Sequence, residues 1–578
     1  MSLIDWLILI IPTAFIMYMG IYSRKYVRDV SDYLAAGRVA GRYVLSLGDI
    51  ANAVSIITLV AYVETQYKVG FSVGFWGSIL APLSIVLGLT GFCSYRFRET
   101  KAMSLGQFLE MRYSRKFRIF AAALRSLAEM IANMIMPAVA SRFFIQMLGL
   151  PDYIHVFGLS IPTFVILVIL FLTMAISLIC FGGTLSLLVT DTIQGMFLYP
   201  LLALFVIFII YKFSWTNEVL PVMMDRVPGE SYINPYDISK LRDFNVFSMV
   251  VVAAYNSIMQ RASWIGAGYT TAAKSPHEQK MAGLLGGWRG TIVTMFYLLI
   301  AICLITFLNH KNFATEAHEV RMTLATRVAD DVIKDTKTRT AVKETIAHIK
   351  PIVHEIGVDK PLGQNENLDS AFLDNIHKSL TADAKSRAPE DEKAQIDAEG
   401  KANDLFQQCR TLYNQLTLSV TMRKLLPKGM FGMFCLLLFL AMLSTDDTRI
   451  YSAALTIAQD VVLPLKKQPF TPKGHVRMIQ IVSIGIGVFF FFGAFFMAQL
   501  DYINMFVTLA CAMWTAGCGP VMIFGLYSRF GTTAGAWASQ LLGMICSLIY
   551  ISYSATGLTS SIQQSPRCTW SISATGCS

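Results

Sequence analysis

The stretch Leu440–Val462 reads "LAMLSTDDTRIYSAALTIAQDVV". The run leading into it, "MFGMFCLLLFLAML" (Met430–Leu443), is almost wholly apolar, and apolar residues resume after it. Its middle nevertheless carries Ser444, Thr445, Asp446, Asp447 and Arg449. Charges inside an apolar helix are costly and mark either a pathway or a structural pair. On a helix, Ala441, Ser444 and Thr445 share one face at i, i+3 and i+4. A backbone carbonyl plus two hydroxyls is an all-oxygen, low-charge ligand set, suited to a hard monovalent cation held weakly enough to leave. Small and hydroxyl residues also pack helices together in membranes, and composition alone does not separate the two readings.

Working outward, the 578-residue chain is 54% hydrophobic and only 15% charged, against about 25% charged in an ordinary soluble protein. Apolar runs near 20 residues recur, enough to cross a ~30 Å hydrocarbon layer as helices. In lipid only helices or closed barrels satisfy their backbone groups, and continuous apolar runs point to helices. The fold class read here is therefore an all-α polytopic membrane protein lying in the lipid bilayer. The net charge of +10 resides in loops and is no nucleic-acid signal. Ten cysteines are scattered without a CxxC pair or metal-ligand spacing. Cys568 and Cys577 could bridge if the tail lies outside. The run Leu3–Tyr22 lacks a basic leader and a small-residue cleavage site, so it reads as a retained span.

Twelve spans are expected, at 3–22, 45–67, 72–95, 118–147, 159–180, 185–211, 243–266, 281–308, 428–462, 478–499, 502–527 and 531–553. Basic residues crowd the loops after the first span (Arg24, Lys25, Arg28, Arg38, Arg42), the third (Arg96, Arg98, Lys101, Arg112) and the ninth (Lys466, Lys467, Lys473). Loops 148–158 and 500–501 carry neither Lys nor Arg. The positive-inside rule places the basic loops in the cytoplasm and both termini outside. The membrane expected is the plasma membrane, or the inner membrane of a bacterium. Residues 309–427 break the pattern. They are polar, with Val320, Leu324, Val328 and Val332 at helical spacing, and read as a helical insertion outside the membrane serving as a solvated spacer.

The other charges within spans are Asp49, Glu64, Arg125, Glu129 and Asp191. Arg125 and Glu129 stand four apart and are expected to pair.

The segment "MLSTDDTRIYSAALTIAQD" resembles the "MSSADSxxxxxSSxxxxD" segment of the sodium:solute symporters, which include sodium-coupled sugar, proline, pantothenate and choline carriers. Four further stretches match in order: "SDYLAAGR" (31–38), "FGGTLSLLVTDTIQG" (181–195), "NSIMQRASWIGAGYTTAA" (256–273) and "LLPKGMFGMFCLLLFLAMLSTDD" (425–447). The resemblance covers residues 1–553 apart from the insertion. It implies a LeuT-like core of five plus five helices in inverted repeat, with flanking helices. The first span and its cytoplasmic loop would be 1–44 and the first repeat 45–211. The second repeat would be 243–527, interrupted by 309–427, and the last span and tail 531–578. Ion and substrate sites in such folds lie at the midplane where helices are broken.

Carried over residue by residue, the resemblance implies a sodium ion (Na+) held by the carbonyls of Ala51, Val54 and Ala441 and the hydroxyls of Ser444 and Thr445. Asp191 would serve the sodium pathway toward the cytoplasm. Substrate-binding candidates are Ser55, Thr58, Tyr255, Asn256 and Ser257. Asp447 matches an acidic residue seen in some members, whereas Asp446 and Arg449 replace small residues and would pair locally or line the inner exit. Two departures stand out. No glycine lies between residues 49 and 69, where members unwind this helix, and Ser257 replaces an aromatic that faces substrate.

The function implied is secondary active transport: sodium-coupled symport of a small organic solute by alternating access. It is not an enzyme and needs no nucleic acid. A proton-coupled carrier using Asp446 and Asp447 is one rival; the Ser444–Thr445 pair favours sodium. A transporter-like solute sensor is another, and the residues after span 12 are few for a signalling domain. A structural membrane protein with a vestigial site is the third. Substrate identity and oligomeric state are not encoded in these motifs.

Overall fold

The structure, a computed structural model, describes residues 1–156, 159–229, 231–237, 247–265, 269–351, 368–387, 392–466, 470–496 and 503–555. Cys568, Cys577 and the tail lie outside the described residues. The chain is nearly all helical. Helix α1 (Leu3–Ser23) is started by a capping box between Ser2 and Asp5. The short α2 (Val30–Ala35) leads to α3 (Arg42–Ala53) and α4 (Ile56–Val69), which meet at an angle of 64° and together cover the second expected span. The third is divided into α5 (Phe71–Ser78), α6 (Ala81–Thr90) and α7 (Ser94–Glu99). Then come α8 (Leu105–Arg112), α9 (Arg115–Asn133) and α10 (Met136–Leu148).

The fifth span differs from expectation. Residues 159–162 are not helical: β1 (Tyr153–Val156) pairs antiparallel with β2 (Leu159–Pro162), Tyr153 opposite Pro162. A short apolar run does not reveal by periodicity whether it is strand or helix. Helix α11 (Thr163–Lys212) follows and takes in both the fifth and sixth expected spans. It breaks at Gly183, whose φ of 55° and ψ of −141° are not helical. A Cβ there would meet the Tyr33 carbonyl oxygen at 2.5 Å, so only glycine admits this approach.

After α12 (Leu220–Met224), α13 (Ala253–Ser263) is the one α-helix among the described residues of the expected span 243–266, and it is too short to cross alone. Helix α14 (Pro276–Asn309) is the eighth span. Beyond the insertion come α19 (Met430–Thr456), continued through a wider turn (Ile457–Val462) into α20 (Leu463–Leu465), then α21 (Pro472–Phe496), α22 (Ile503–Tyr527) and α23 (Thr533–Ala555). Among the described residues, eight helices are long and apolar enough to cross a membrane, nine with the bent α3–α4 pair. The twelve expected exceed this because α11 counts once and because α13 and the apolar part of α23, Thr533–Ile549, are short.

The most buried span is α19, with 89% of its apolar window buried against 22% for α1, so α19 is the central post and α1 lies at the rim. Both α1 and α11 pack on α19. Asp5 of α1 accepts hydrogen bonds from the backbone N–H groups of Gly429 (2.8 Å) and Gly432 (3.0 Å). It thereby satisfies two donors that the start of α19 would otherwise leave unpaired.

The insertion comprises α15 (Ala314–Val332), α16 (Thr336–His348), α17 (Leu368–Arg387) and α18 (Glu392–Leu425). Val320, Leu324, Val328 and Val332 are all buried, so the helical spacing is real. The expectation of a solvated spacer is corrected, because the insertion is docked. Helix α18 packs on α4 and α10, and α15 packs on α14. Arg327 of α15 donates to the side-chain oxygen of Gln146 on α10. The buried face of each helix needs a partner, and the bundle supplies part of it.

Candidate ion site at the helix break

The break between α3 and α4 is made without glycine. Val54 (φ −87°, ψ 106°) and Ser55 (φ −125°, ψ 160°) are extended. β-Branched residues on both sides of Ser55 favour that backbone. Ser55 Oγ accepts from the backbone N–H of Thr58 at 3.0 Å and so restarts the helix as an N-cap. The end of α3 leaves carbonyls such as that of Ala51 without the helical partner four residues on. Ala51 and Val54 are both fully buried.

Against this break lies the middle of α19. Ala441, Ser444, Thr445, Asp446 and Asp447 are all buried. Thr445 Oγ1 donates to the Ala441 carbonyl at 2.8 Å and reaches the Val54 carbonyl at 3.4 Å. Ser444 Oγ lies 3.4 Å from Asn52 Oδ1. Four of the five expected sodium ligands are thus tied to one locality by these contacts or the residues beside them. Ala51 joins them one residue before Asn52.

Asp191 of α11 adjoins the same place. Its Oδ2 accepts from Asn52 Nδ2 (3.1 Å) and from the Tyr269 hydroxyl (2.5 Å). Gly48 lets the Tyr269 ring lie close, since a Cβ there would meet ring carbons at 2.9 and 3.0 Å. The Asp191 Oδ1, Asp446 Oδ2 and Asp447 Oδ2 atoms are buried with no hydrogen-bond partner among the described residues. Buried carboxylate oxygens need a counter-charge or a proton. Carbonyls, hydroxyls and neighbouring carboxylates fit a hard cation such as sodium. Among the described residues, no group of three His, Cys, Asp or Glu side chains forms a metal cluster.

Asn52, Tyr269 and Thr448 were missed from sequence. Asn52 stands between the expected ligands Ala51 and Val54, Tyr269 lies inside a quoted motif, and Thr448, whose hydroxyl donates to Asp447 Oδ1 at 3.2 Å, follows the acidic pair directly.

Other placements are less convergent. Ser55 and Thr58 bond each other at 2.7 Å, and neither bonds Tyr255, Asn256 or Ser257. Tyr255 is 52% exposed on α13, and Asn256 and Ser257 are half-buried. Glu64 pairs with Lys68 at 3.0 Å. Arg449 is half-buried and forms no ion pair with Asp446 among the described residues. Arg125 and Glu129, expected to pair, do not. The Nε and Nη2 atoms of Arg125 and both carboxylate oxygens of Glu129 are buried with no hydrogen-bond partner among the described residues. Arginine before glutamate is the weaker order of an i, i+4 pair. Arg125 instead lies over the Trp264 ring at 5.6 Å and lines a small cavity. That cavity begins at Tyr269 and Thr448 beside the ion cluster and ends at Asp460. Asp460 itself is held by Ser104 (2.6 Å) and by Arg118 (2.8 Å).

An oxygen-lined break facing a hydroxyl pair on the central helix is the arrangement of a membrane transport protein. The profile of the sodium:solute symporter family matches residues 33–316 and 408–543, and the chain belongs to that family. Its members are transporters, not enzymes, and use sodium as the coupling ion. The chain is an integral membrane protein of the sodium-coupled symport class. Among solved structures it is similar to the substrate-bound outward-open state of a Na+-coupled sialic acid symporter. The TM-score is 0.62 at 15% identity, over 95% of this chain and 98% of that one, a likeness of fold. No curated protein matches the sequence.

Proposed function

We propose that this chain carries a small organic solute across the plasma membrane, or the bacterial inner membrane, together with sodium by alternating access. Sodium is held by the carbonyls of Ala51, Val54 and Ala441 and the hydroxyls of Ser444 and Thr445. The observation that carries this reading is the approach of Thr445 Oγ1 to the carbonyls of Val54 and Ala441, one at the helix break and one on the facing helix α19. Asp191, held by Asn52 and Tyr269, gives the ion its next negative group on the way inward. The frame is a LeuT-like five-plus-five inverted repeat at 45–211 and 243–527, with the N-terminus and the 309–427 insertion outside. Ser55, Thr58, Tyr255, Asn256 and Ser257 are the substrate-facing candidates. One charge falling through 100 mV supplies ~2.3 kcal/mol, before the concentration term.

The test is uptake of a labelled solute panel into proteoliposomes under an inward sodium gradient and under potassium. Accumulation of one solute with sodium alone is expected; sodium-independent accumulation refutes the coupling. A proton-coupled carrier retains one supporting observation, the Oδ2 of Asp446, buried with no hydrogen-bond partner among the described residues. Uptake driven by an acid-outside gradient in sodium-free medium would establish it.

A further inference from the structure

Outside the ion site, Asp369, in the first turn of α17, is a buried charge bonded to three other helices. It is 5% exposed. Arg321 of α15 donates from Nε to its Oδ1 at 2.6 Å and from Nη2 to the Leu308 carbonyl, at the end of α14, at 2.7 Å. The Tyr413 hydroxyl of α18 reaches Oδ1 at 3.4 Å. The remaining oxygen, Oδ2, accepts from the hydroxyl of Tyr67 on α4, 302 residues away in sequence. One carboxylate therefore joins three insertion helices to the far end of the half-helix that begins at the ion site. Arg321 and Asp369 fall in the part of the chain that the family profile does not match, whereas Tyr67 and Tyr413 fall in the matched part. The clamp is an addition built onto the shared frame.

The two half-helices are held differently. Helix α3 is fastened at its inner end by the pair Arg42–Glu278 (2.5 Å) and at its break by Asn52–Asp191. Helix α4, 14 residues long, is a rod of about 21 Å. Val54 and Ser55 stand at one end and Tyr67 at the other, and just beyond it Gly70 turns the chain at φ 64°. A rod held at both ends has a fixed direction, so the insertion sets the angle at which Val54 meets α19.

We propose that Asp369, Arg321 and Tyr67 are positioning residues for the sodium site. Through them the insertion moves with α4 as one body when the ion binds. The inference rests on the sodium-site reading above and goes beyond it, because it gives a transport role to residues that touch neither ion nor solute.

The test needs no substrate. Hydrogen–deuterium exchange is followed in the purified full-length carrier, in sodium and in potassium at equal ionic strength, for peptides covering 56–69 and 368–380. Sodium is expected to slow exchange in both segments. Tyr67→Phe removes only the hydroxyl. It should raise the sodium concentration that half-protects 56–69 and reduce the sodium-dependent protection of 368–380, each by about tenfold, the effect of losing one hydrogen bond to a charged group. Arg321→Lys keeps the charge, loses the second bond and should give the same pattern, which covers poor yield of the first variant. Protection confined to 56–69 in the wild type refutes the clamp and leaves the sodium site standing. Protection of both segments unaltered by either substitution refutes these residues as the link. No sodium effect on either segment overturns the site reading and the clamp together.

Discussion

Replacing Thr445 by Val removes one oxygen and keeps the shape of the side chain. That oxygen stands 2.8 Å from the Ala441 carbonyl and 3.4 Å from the Val54 carbonyl, and Thr445 is 3% exposed. Bulk water has no ready route to replace it. A five-oxygen site would keep four ligands. A contact to a charged group is worth ~1.5–3 kcal/mol, and each 1.4 kcal/mol is about tenfold in affinity. Thr445→Val should therefore raise the sodium concentration for half-maximal uptake by roughly ten- to a hundredfold. Ser444→Ala, fully buried beside Asn52, should do the same. The double variant should cost less than the sum, because both oxygens serve one ion. Ser483→Ala is the control: its hydroxyl is equally buried but is satisfied by the Ile479 carbonyl at 2.9 Å on α21. The assay is initial uptake rate against sodium concentration at matched amounts of reconstituted protein. If both variants are activated at the wild-type sodium concentration while Ser483→Ala behaves alike, the hydroxyls are packing groups and the site is elsewhere.

Asp191→Asn keeps the bonding partners Asn52 and Tyr269 but removes the charge, and should weaken sodium activation more than solute affinity; an unchanged sodium curve would make Asp191 structural. Gly183→Ala forces a side chain into positive φ against the Tyr33 carbonyl. With strain of ~1–3 kcal/mol from the backbone alone, it should lower the yield of monodisperse protein in size-exclusion chromatography. Arg118→Ala leaves the buried Asp460 without its ion-pair partner, a loss of ~3–5 kcal/mol for a buried pair. A clear drop in thermal midpoint is expected, and an unchanged midpoint counts against the pair. Asp397→Cys, exposed on α18, should react with an impermeant maleimide in intact cells in a background lacking the ten native cysteines; reaction only after permeabilisation would reverse the topology.

The recurrence of apolar helices of membrane length was legible in sequence because lipid imposes it directly, whereas their number was not. The shared helix face of Ala441, Ser444 and Thr445 was legible from their spacing. The break at Val54–Ser55 was half legible: Ser55 and its β-branched neighbours were in view, but the usual glycine cue was missing. The interruption at Gly183 falls in the 181–184 gap between the fifth and sixth expected spans; what was not legible is its cause, the backbone of Tyr33, distant in sequence. Asn52 and Tyr269 depend in the same way on where α11 brings Asp191. The docking of the insertion was illegible for a related reason. Its apolar spacing shows that a face is buried, not what buries it, and its bond to Tyr67 spans 302 residues.

The Asp5 contact with α19 has a consequence for how the molecule is made. Its two partners are separated by 424 and 427 residues. At ~5–20 residues per second of synthesis, the first span waits on the order of 20–85 s before the helix it caps exists. Throughout that interval Asp5 has only Ser2 to hold it, and α19 emerges already carrying Asp446 and Asp447. The central post can be seated only after the rim helix is in place, so substitutions at Asp5 should act on membrane assembly during translation before they act on any property of the finished carrier.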